Sequence, residues 1–136
     1  MIKTQIPYQE TGYFSKLMSD YLGANAKLKP FYNNHFDGFA EQLKEREALP
    51  VNRTVLVDTL TQQNLGFDVS NETQNNIVKL SNENCFTVTT GHQLNLFTGP
   101  LYFIYKIVSA VNLAKELKEK HPENDFVPVY WMATED

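Results

Sequence analysis

One glycine-containing segment joins a predicted strand to a predicted helix, and it reads Thr89-Thr90-Gly91-His92-Gln93-Leu94-Asn95-Leu96-Phe97-Thr98-Gly99-Pro100. The run 85–89 before it has the β-branched and aromatic composition of a strand. The run 101–120 after it predicts one long helix, and 126–131 is a second strand-like run. The order strand, loop, helix, strand predicts a βαβ unit with two parallel strands and a right-handed crossover.

The chain upstream of this unit is predicted to be helical. Thr11 is a predicted N-cap for a helix over residues 12–22. A second helical segment spans residues 30–50, between two prolines. Asn52 and Asn71 are predicted to cap two further helices, so helices precede the first strand.

Composition narrows the class of protein. A chain of 136 residues with 42% hydrophobic residues can form a folded domain with its own core. The net charge of −4, without a cluster of Lys and Arg, disfavours binding to nucleic acid. The single cysteine, Cys85, cannot form an internal disulfide, which fits a reducing compartment.

The hydrophobic segments are too short or too interrupted for a membrane protein. The N-terminus lacks the apolar stretch of a signal peptide. The most apolar window, residues 94–114, contains Gly99, Pro100 and Lys106, whereas a membrane span needs about 20 largely uninterrupted apolar residues. We therefore expect a soluble cytoplasmic chain.

Gly91-His92-Gln93 follows the first predicted strand, at the edge where parallel sheets bind ligands. A glycine there allows the backbone to approach a ligand closely or to adopt a positive φ. His92 can donate to an anionic oxygen or act as an acid or base near neutral pH. A structural turn that carries a surface histidine is the alternative interpretation.

Gly99-Pro100 begins the predicted long helix, because proline suits the first helical turn. The exposed amides and the dipole of such a turn attract phosphate or carboxylate groups. These two residues are therefore candidates for ligand binding.

Three charged residues could contribute to the same site. Lys106 stands alone in the apolar half of the helix, so it either has a partner or ligand, or its stem carries the amine to water. Glu135 and Asp136 follow the second strand at its ligand-facing end, where the alternative is a solvated strand end. No spacing of cysteines and histidines typical of a metal site is present, and no metal ligand is predicted.

Two long motifs resemble those of the bacillithiol biosynthesis cysteine-adding enzyme family. The first runs from Thr89 to Tyr102 and continues in Tyr105-Lys106. The second, Pro128 to Asp136, resembles the family's next motif, in which a histidine and another aspartate normally follow. The upstream region also resembles the family's N-terminal part, at Gly12-Tyr13-Phe14, Leu49-Pro50 and Arg53. Members are several times longer, so this chain is expected to be the N-terminal portion of such a protein.

The resemblance implies an α/β fold in two parts. Residues 1–84 would form a mostly helical N-terminal region. Residues 85–136 would form the first βαβ unit of a Rossmann-like parallel sheet, similar to that of class I aminoacyl-tRNA synthetases and truncated here.

The resemblance also implies a ligase that adds cysteine to the amine of glucosaminyl-malate, which gives bacillithiol. A nucleotide such as ATP would activate the cysteine carboxylate, by analogy with the synthetases. His92 and Gln93 would then be catalytic. The residues implied in substrate or nucleotide contacts are Gly91, Gly99, Pro100, Lys106, Glu135 and Asp136.

The implied partners are the small molecules cysteine and glucosaminyl-malate, without nucleic acid or membrane. Family members have a C-terminal helical coiled coil that is used in dimerisation, so the resemblance implies a homodimer. The isolated chain is expected to be inactive, because two strands cannot complete a doubly wound sheet. The alternative function is a nucleotide- or anion-binding module without catalysis.

Overall fold

A computed structural model describes residues 4–95, 97 and 99–134 of the chain. The chain divides into two compact units, Met1–Arg46 and Glu47–Asp136. Each unit is described by itself.

The first unit contains short helices. They are α1 (Tyr8–Thr11), α2 (Lys16–Leu22), a 3₁₀ helix (Ala26–Phe31) and α3 (Phe39–Glu47), whose last residue falls in the second unit. Pro30 lies inside the 3₁₀ helix and does not begin an α-helix, so the predicted segment 30–50 is shorter in the structure.

The predicted N-cap Thr11 is wrong. The Ser15 hydroxyl accepts from the Met18 N–H and caps α2, which therefore begins at Lys16. Thr11 instead ends α1, where its hydroxyl donates to the Tyr8 carbonyl at 2.8 Å. Gly12 follows with a φ of 69°, a conformation that ends the helix.

The second unit begins with α4 (Arg53–Gln63) and α5 (Asn71–Lys79). The prediction that Asn52 caps α4 is confirmed, since its side chain accepts from the Val55 N–H. Ser70 caps α5, and Asn71, the predicted cap, is the first residue of that helix. Both serine and asparagine are strong N-cap residues, so local preference alone did not separate them.

The predicted βαβ unit is confirmed. β1 (Cys85–Gln93) and β2 (Asp125–Ala133) pair in parallel, with a register that runs from Cys85 opposite Asp125 to Gln93 opposite Ala133. The connecting helix α6 spans Leu101–Lys120, as predicted. The fold class is therefore α/β.

β1 is longer than the predicted run 85–89. The segment Gly91–Gln93 lies inside the strand and pairs with Trp131–Ala133. The expectation that this segment forms a loop is thus wrong. Pairing with β2 keeps the backbone extended past the run 85–89, where the β-branched and aromatic residues end.

The core of the second unit lies where helices cover the sheet. Leu80, Cys85 and Val127 are buried, and the residues packed against them are Leu56, Val57, Leu60 and Val129. Helices α4 and α5 therefore belong to the same compact unit as the strands. The division of the parent protein into domains at residues 84 and 85 stays a prediction.

Helix α6 buries a narrow face. Ala110, Ala114 and Leu117 are buried. The first half of the helix is apolar nearly all round, which predicts burial on all sides, but Leu101, Ile104, Tyr105 and Val108 are exposed. Within the described residues the sheet has two strands, which is too narrow to cover more of the helix.

Candidate functional site

The candidate site lies at the carboxyl ends of β1 and β2. A cavity of about 530 Å³ opens there, next to the first turns of α6. Its lining residues are Thr89, Thr90, Gly91, His92, Gln93, Lys106, Trp131 and Ala133. Three of the predicted site residues in β1 and the predicted lysine of α6 therefore share one cavity.

Gly91 allows the two strands to approach each other. A Cβ at this position would lie 2.7 Å from the carbonyl oxygen of Trp131 and 2.9 Å from its Cβ. Gly91 is not among the residues with positive φ in the described part of the chain. The predicted reasons for this glycine were a positive φ or a close approach to a ligand, but the structure gives it a packing role against β2.

His92 has a partner for each ring nitrogen. Nδ1 lies 3.1 Å from the Gln93 carbonyl oxygen, and Nε2 lies 2.7 Å from the Tyr102 hydroxyl. The imidazole and the Tyr102 ring are 5.2 Å apart between centroids. The histidine is thus held in one orientation, whereas the alternative interpretation was a surface histidine in a structural turn.

Asn95 supports the same arrangement from the following loop. Its amide nitrogen donates to the Gln93 carbonyl oxygen at 3.0 Å and lies 3.2 Å from Nδ1 of His92. The Gln93 backbone therefore holds both side chains, and the Gln93 residue also lines the cavity.

Lys106 is exposed, and its amine donates to the Gly91 carbonyl at 3.0 Å. Its Nζ also lies 5.9 Å from the centre of the Tyr102 ring. The sequence left two interpretations open for this lysine, an amine with a partner and an amine that reaches water. The structure shows both features, since the amine has a hydrogen-bond partner and is exposed to solvent. One positive charge is thereby fixed beside the carboxyl end of β1, where it can bind a carboxylate or phosphate oxygen.

Gly99 and Pro100 have structural roles at the start of α6. Gly99 has a φ of 61°, and a Cβ there would lie 2.5 Å from Cβ of Asn95. Pro100 is the N-cap, and its carbonyl accepts from the Phe103 N–H at 2.9 Å. Among the described residues, neither lines the cavity. Gly99 therefore contributes by leaving room for Asn95, while its predicted contact with a ligand stays untested.

The two predicted carboxylates, Glu135 and Asp136, lie outside the described residues. Within residues 4–95, 97 and 99–134, no group of three or more His, Cys, Asp or Glu side chains is placed to hold a metal ion. The helices in the described part of the chain are too short or too polar to cross a membrane.

Cys85 lies at the opposite end of β1 from His92. It is buried in the core, and this burial raises the pKa of its thiol. A raised pKa lowers the thiolate fraction, so Cys85 has the properties of a core residue and not of a nucleophile.

Tyr102 and Asn95 are the two site residues that sequence reasoning missed. Both lie within the first family motif, but neither was singled out as a site residue. A second signal was the spacing of Tyr102 and Lys106 by four residues, because such residues lie on the same face of a helix.

A family model described as "Bacillithiol biosynthesis BshC, N-terminal Rossmann-like domain" matches residues 1–136. The chain is 56% identical over 136 residues to the "Putative cysteine ligase BshC" of Flavobacterium psychrophilum, an alignment covering 96% of this chain and 26% of that protein. The protein of the same description from Flavobacterium johnsoniae is 54% identical with the same coverage. That of Cytophaga hutchinsonii is 47% identical over 134 residues, with 97% of this chain and 26% of the relative covered. The chain spans about a quarter of the length of these curated relatives.

Proposed function

This chain belongs to the family of the BshC N-terminal Rossmann-like domain, and from this premise we propose that it is the N-terminal part of a cysteine ligase in bacillithiol biosynthesis. The relatives are described as cysteine ligases, and this chain covers 26% of the first of them. Ligase activity is therefore proposed for the full-length protein, and the isolated 136 residues are expected to be inactive.

The proposed reaction joins the carboxyl group of cysteine to the amine of glucosaminyl-malate through a new C–N bond. A free carboxylate has a poor leaving group, so its oxygen must first be activated. A nucleotide such as ATP would supply that activation. In the described residues, Lys106 is the cation that fits one anionic group of such a ligand, either a carboxylate or a phosphate.

One observation carries the proposal. Lys106 and His92 line the same cavity at the strand ends, which is where parallel α/β sheets bind their ligands. The lysine would bind an anionic oxygen, and the histidine would stabilise the charge that develops on it. Both ring nitrogens of His92 have partners within the chain. A direct contact between Nε2 of His92 and a substrate therefore requires the hydrogen bond between Nε2 and the Tyr102 hydroxyl to break.

The test measures formation of the cysteinyl product by mass spectrometry, with a full-length family member that carries this N-terminal sequence. We expect His92→Gln to lower kcat about 100-fold, the lower end of losses for a donor that stabilises developing charge. Lys106→Met should chiefly raise KM, because it removes binding of an anion.

Lys115→Met is the matched control for the lysine variant, since Lys115 is an exposed residue of the same helix. It should leave kcat and KM unchanged. Undiminished ligation by the His92→Gln protein would contradict the catalytic role of His92.

A nucleotide- or anion-binding module is the second candidate function. It is favoured by the engagement of both His92 nitrogens within the chain, while the exposed Lys106 can still reach a ligand. Calorimetric titration of the full-length protein with ATP and with inorganic phosphate separates the candidates. Saturable binding without any product would favour the module, whereas binding accompanied by turnover would favour the ligase.

A cytoplasmic homodimer that acts on small molecules completes the proposal. The location rests on the single cysteine, which suits a reducing compartment. The dimer of the full-length protein rests on the C-terminal coiled coil that the family resemblance implies. Within the described residues, β1 and β2 each have one edge without a neighbouring strand, and such edges would promote association of the isolated 136 residues. Binding to nucleic acid or to a membrane is not expected from the net charge and the hydrophobic pattern. Sizing the full-length protein in solution tests the dimer.

A further inference from the structure

We propose that Tyr102 is a positioning residue that holds the His92 ring in place through Nε2, while the Gln93 carbonyl oxygen keeps the proton of the neutral ring on Nδ1. The proposal deepens the proposed function, on which the catalytic importance of His92 rests. It rests on the hydrogen-bond partners of the two ring nitrogens, because one partner can only accept a hydrogen bond and the other can donate or accept.

The partner of Nδ1 is a carbonyl oxygen, which can only accept a hydrogen bond. Nδ1 lies 3.1 Å from the Gln93 carbonyl oxygen, so a favourable contact requires a proton on Nδ1. A lone pair there would face the lone pairs of the carbonyl. Asn95 offers a competing donor, 3.2 Å from Nδ1, but the same amide nitrogen is closer to the Gln93 oxygen, at 3.0 Å. The carbonyl is thus the common acceptor of both side chains.

The partner of Nε2 is a hydroxyl, which can donate or accept. With the proton on Nδ1, the neutral imidazole has its lone pair on Nε2, and the Tyr102 hydroxyl donates to it at 2.7 Å. If the imidazole takes up a second proton, Nε2–H can donate to the same phenolic oxygen. Tyr102 therefore satisfies both protonation states of His92 without a change of position.

The tyrosine ring is itself held in place. Tyr102 lies in the first turn of α6, and the Lys106 amine lies 5.9 Å from the centre of its ring, within the range of an attraction between a cation and an aromatic face. Tyr102 is nevertheless 46% exposed, so its hydroxyl can move away when a substrate group takes its place at Nε2. A substrate N–H or O–H would donate to the neutral ring, whereas an anionic oxygen would accept from the protonated ring. The tyrosine would keep Nε2 directed towards the reacting group until the substrate binds.

The first experiment reads the tautomer directly from the imidazole nitrogen NMR shifts of isotope-labelled histidine. The sample is the full-length protein at about pH 9, well above the ordinary histidine pKa of about 6.5. The His92 signals are identified by their loss in His92→Gln. We expect wild-type His92 to carry its proton on Nδ1, and Tyr102→Phe to keep that tautomer but to shift the Nε2 signal, because the hydroxyl that donates to Nε2 is lost. A proton on Nε2 in the wild type, or an unchanged Nε2 signal in Tyr102→Phe, would overturn the proposal.

The second experiment measures ligation by the same variants. Tyr102→Phe keeps the ring and removes the hydroxyl. We expect kcat to fall about tenfold, because an imidazole that is no longer aligned with the reacting group stabilises its charge, or exchanges a proton with it, less well. Tyr105→Phe is the matched control, since Tyr105 is an exposed tyrosine on the same helix. It should retain full activity. A fully active Tyr102→Phe beside an inactive His92→Gln would overturn the positioning role, whereas a fully active His92→Gln would overturn only the catalytic role of His92 in the proposed function.

Discussion

His35 differs from His92 in the partners of its ring. Its Nδ1 lies 2.6 Å from the Asp37 carboxylate, and its Nε2 lies 2.7 Å from the Tyr21 carbonyl oxygen. Both partners are acceptors, so the doubly protonated, charged ring satisfies both at once. The Tyr21 carbonyl, followed by the Asp37 carboxylate, raises the pKa of His35. The hydrogen bond from His35 in turn lowers the pKa of Asp37.

These shifts predict how the stability of the first unit depends on pH. The pKa of His35 is raised on folding, so its contribution is complete below about pH 6.5 and is lost as pH rises through the raised value. The pKa of Asp37 is lowered, so its contribution is complete above about pH 3.9 and is lost as pH falls through the lowered value. We therefore expect this pair to stabilise the unit most between about pH 4 and 6.5.

An NMR titration of the His35 ring protons checks this prediction. The midpoint should lie above the ordinary histidine value of about 6.5. Asp37→Asn should lower it, because the charged acceptor is removed while the Tyr21 carbonyl stays. Asp58→Asn, an exposed residue of α4, is the control and should leave the midpoint unchanged. An equal midpoint in wild type and Asp37→Asn would contradict the role of the carboxylate.

At the scale of elements, Arg53 ties three segments of the second unit together. It is the first residue of α4, and its guanidinium donates to the carbonyl oxygens of Leu80 at 2.9 Å, Glu83 at 3.0 Å and Cys85 at 3.1 Å. Leu80 is the C-cap of α5 and Cys85 is the first residue of β1. The carbonyl of a helix C-cap has no helical partner, and Arg53 satisfies that of Leu80. Its other two hydrogen bonds link α4 to the turn before β1 and to the first residue of β1.

We predict that Arg53→Met lowers the free energy of unfolding by about 2 kcal/mol, since hydrogen bonds from a charged donor to partly buried carbonyls are lost. Arg46→Met is the control, because Arg46 is exposed at the end of α3. Denaturant unfolding of both variants measures the difference. Equal midpoints for the two variants would show that the three contacts contribute nothing to stability.

At the scale of the whole molecule, burial is concentrated in a few residues. Among the described residues, the buried hydrophobic ones are Leu80, Cys85, Ala110, Ala114, Leu117 and Val127, all in the second unit. The exposed residues Leu101, Ile104, Tyr105 and Val108 recur at helical spacing on α6 and form an apolar stripe. The helix therefore has one stabilising face and one apolar face in contact with water.

Two identical substitutions on α6 test this asymmetry. Leu117 is 4% exposed and Leu101 is 61% exposed. We predict that Leu117→Ala costs about 3 kcal/mol of unfolding free energy, because it leaves a cavity in the core. Leu101→Ala should change it by less than about 0.5 kcal/mol. The fluorescence of Trp131 during denaturant unfolding reports both values, and similar losses for the two variants would refute the asymmetry.

The helices and their order could be predicted from features of the nearby sequence, namely prolines, capping residues and apolar periodicity. Helix α6 begins and ends at the predicted residues, because Pro100, Pro122 and the apolar periodicity act within a few positions of the backbone they control. Asn52 was recognised as a cap for the same reason. The Rossmann-like family followed from two long motifs, and the family match over residues 1–136 confirms it.

Contacts between distant residues decided the remainder. Gly91, His92 and Gln93 have weak strand preferences and are extended because β2, some forty residues later, pairs with them. The sequence by itself determined the βαβ order, the limits of α6 and the family, since local preferences and motifs specify these. Only the tertiary structure placed Tyr102 on His92 and Lys106 on Gly91, because such contacts depend on how α6 packs across the strands.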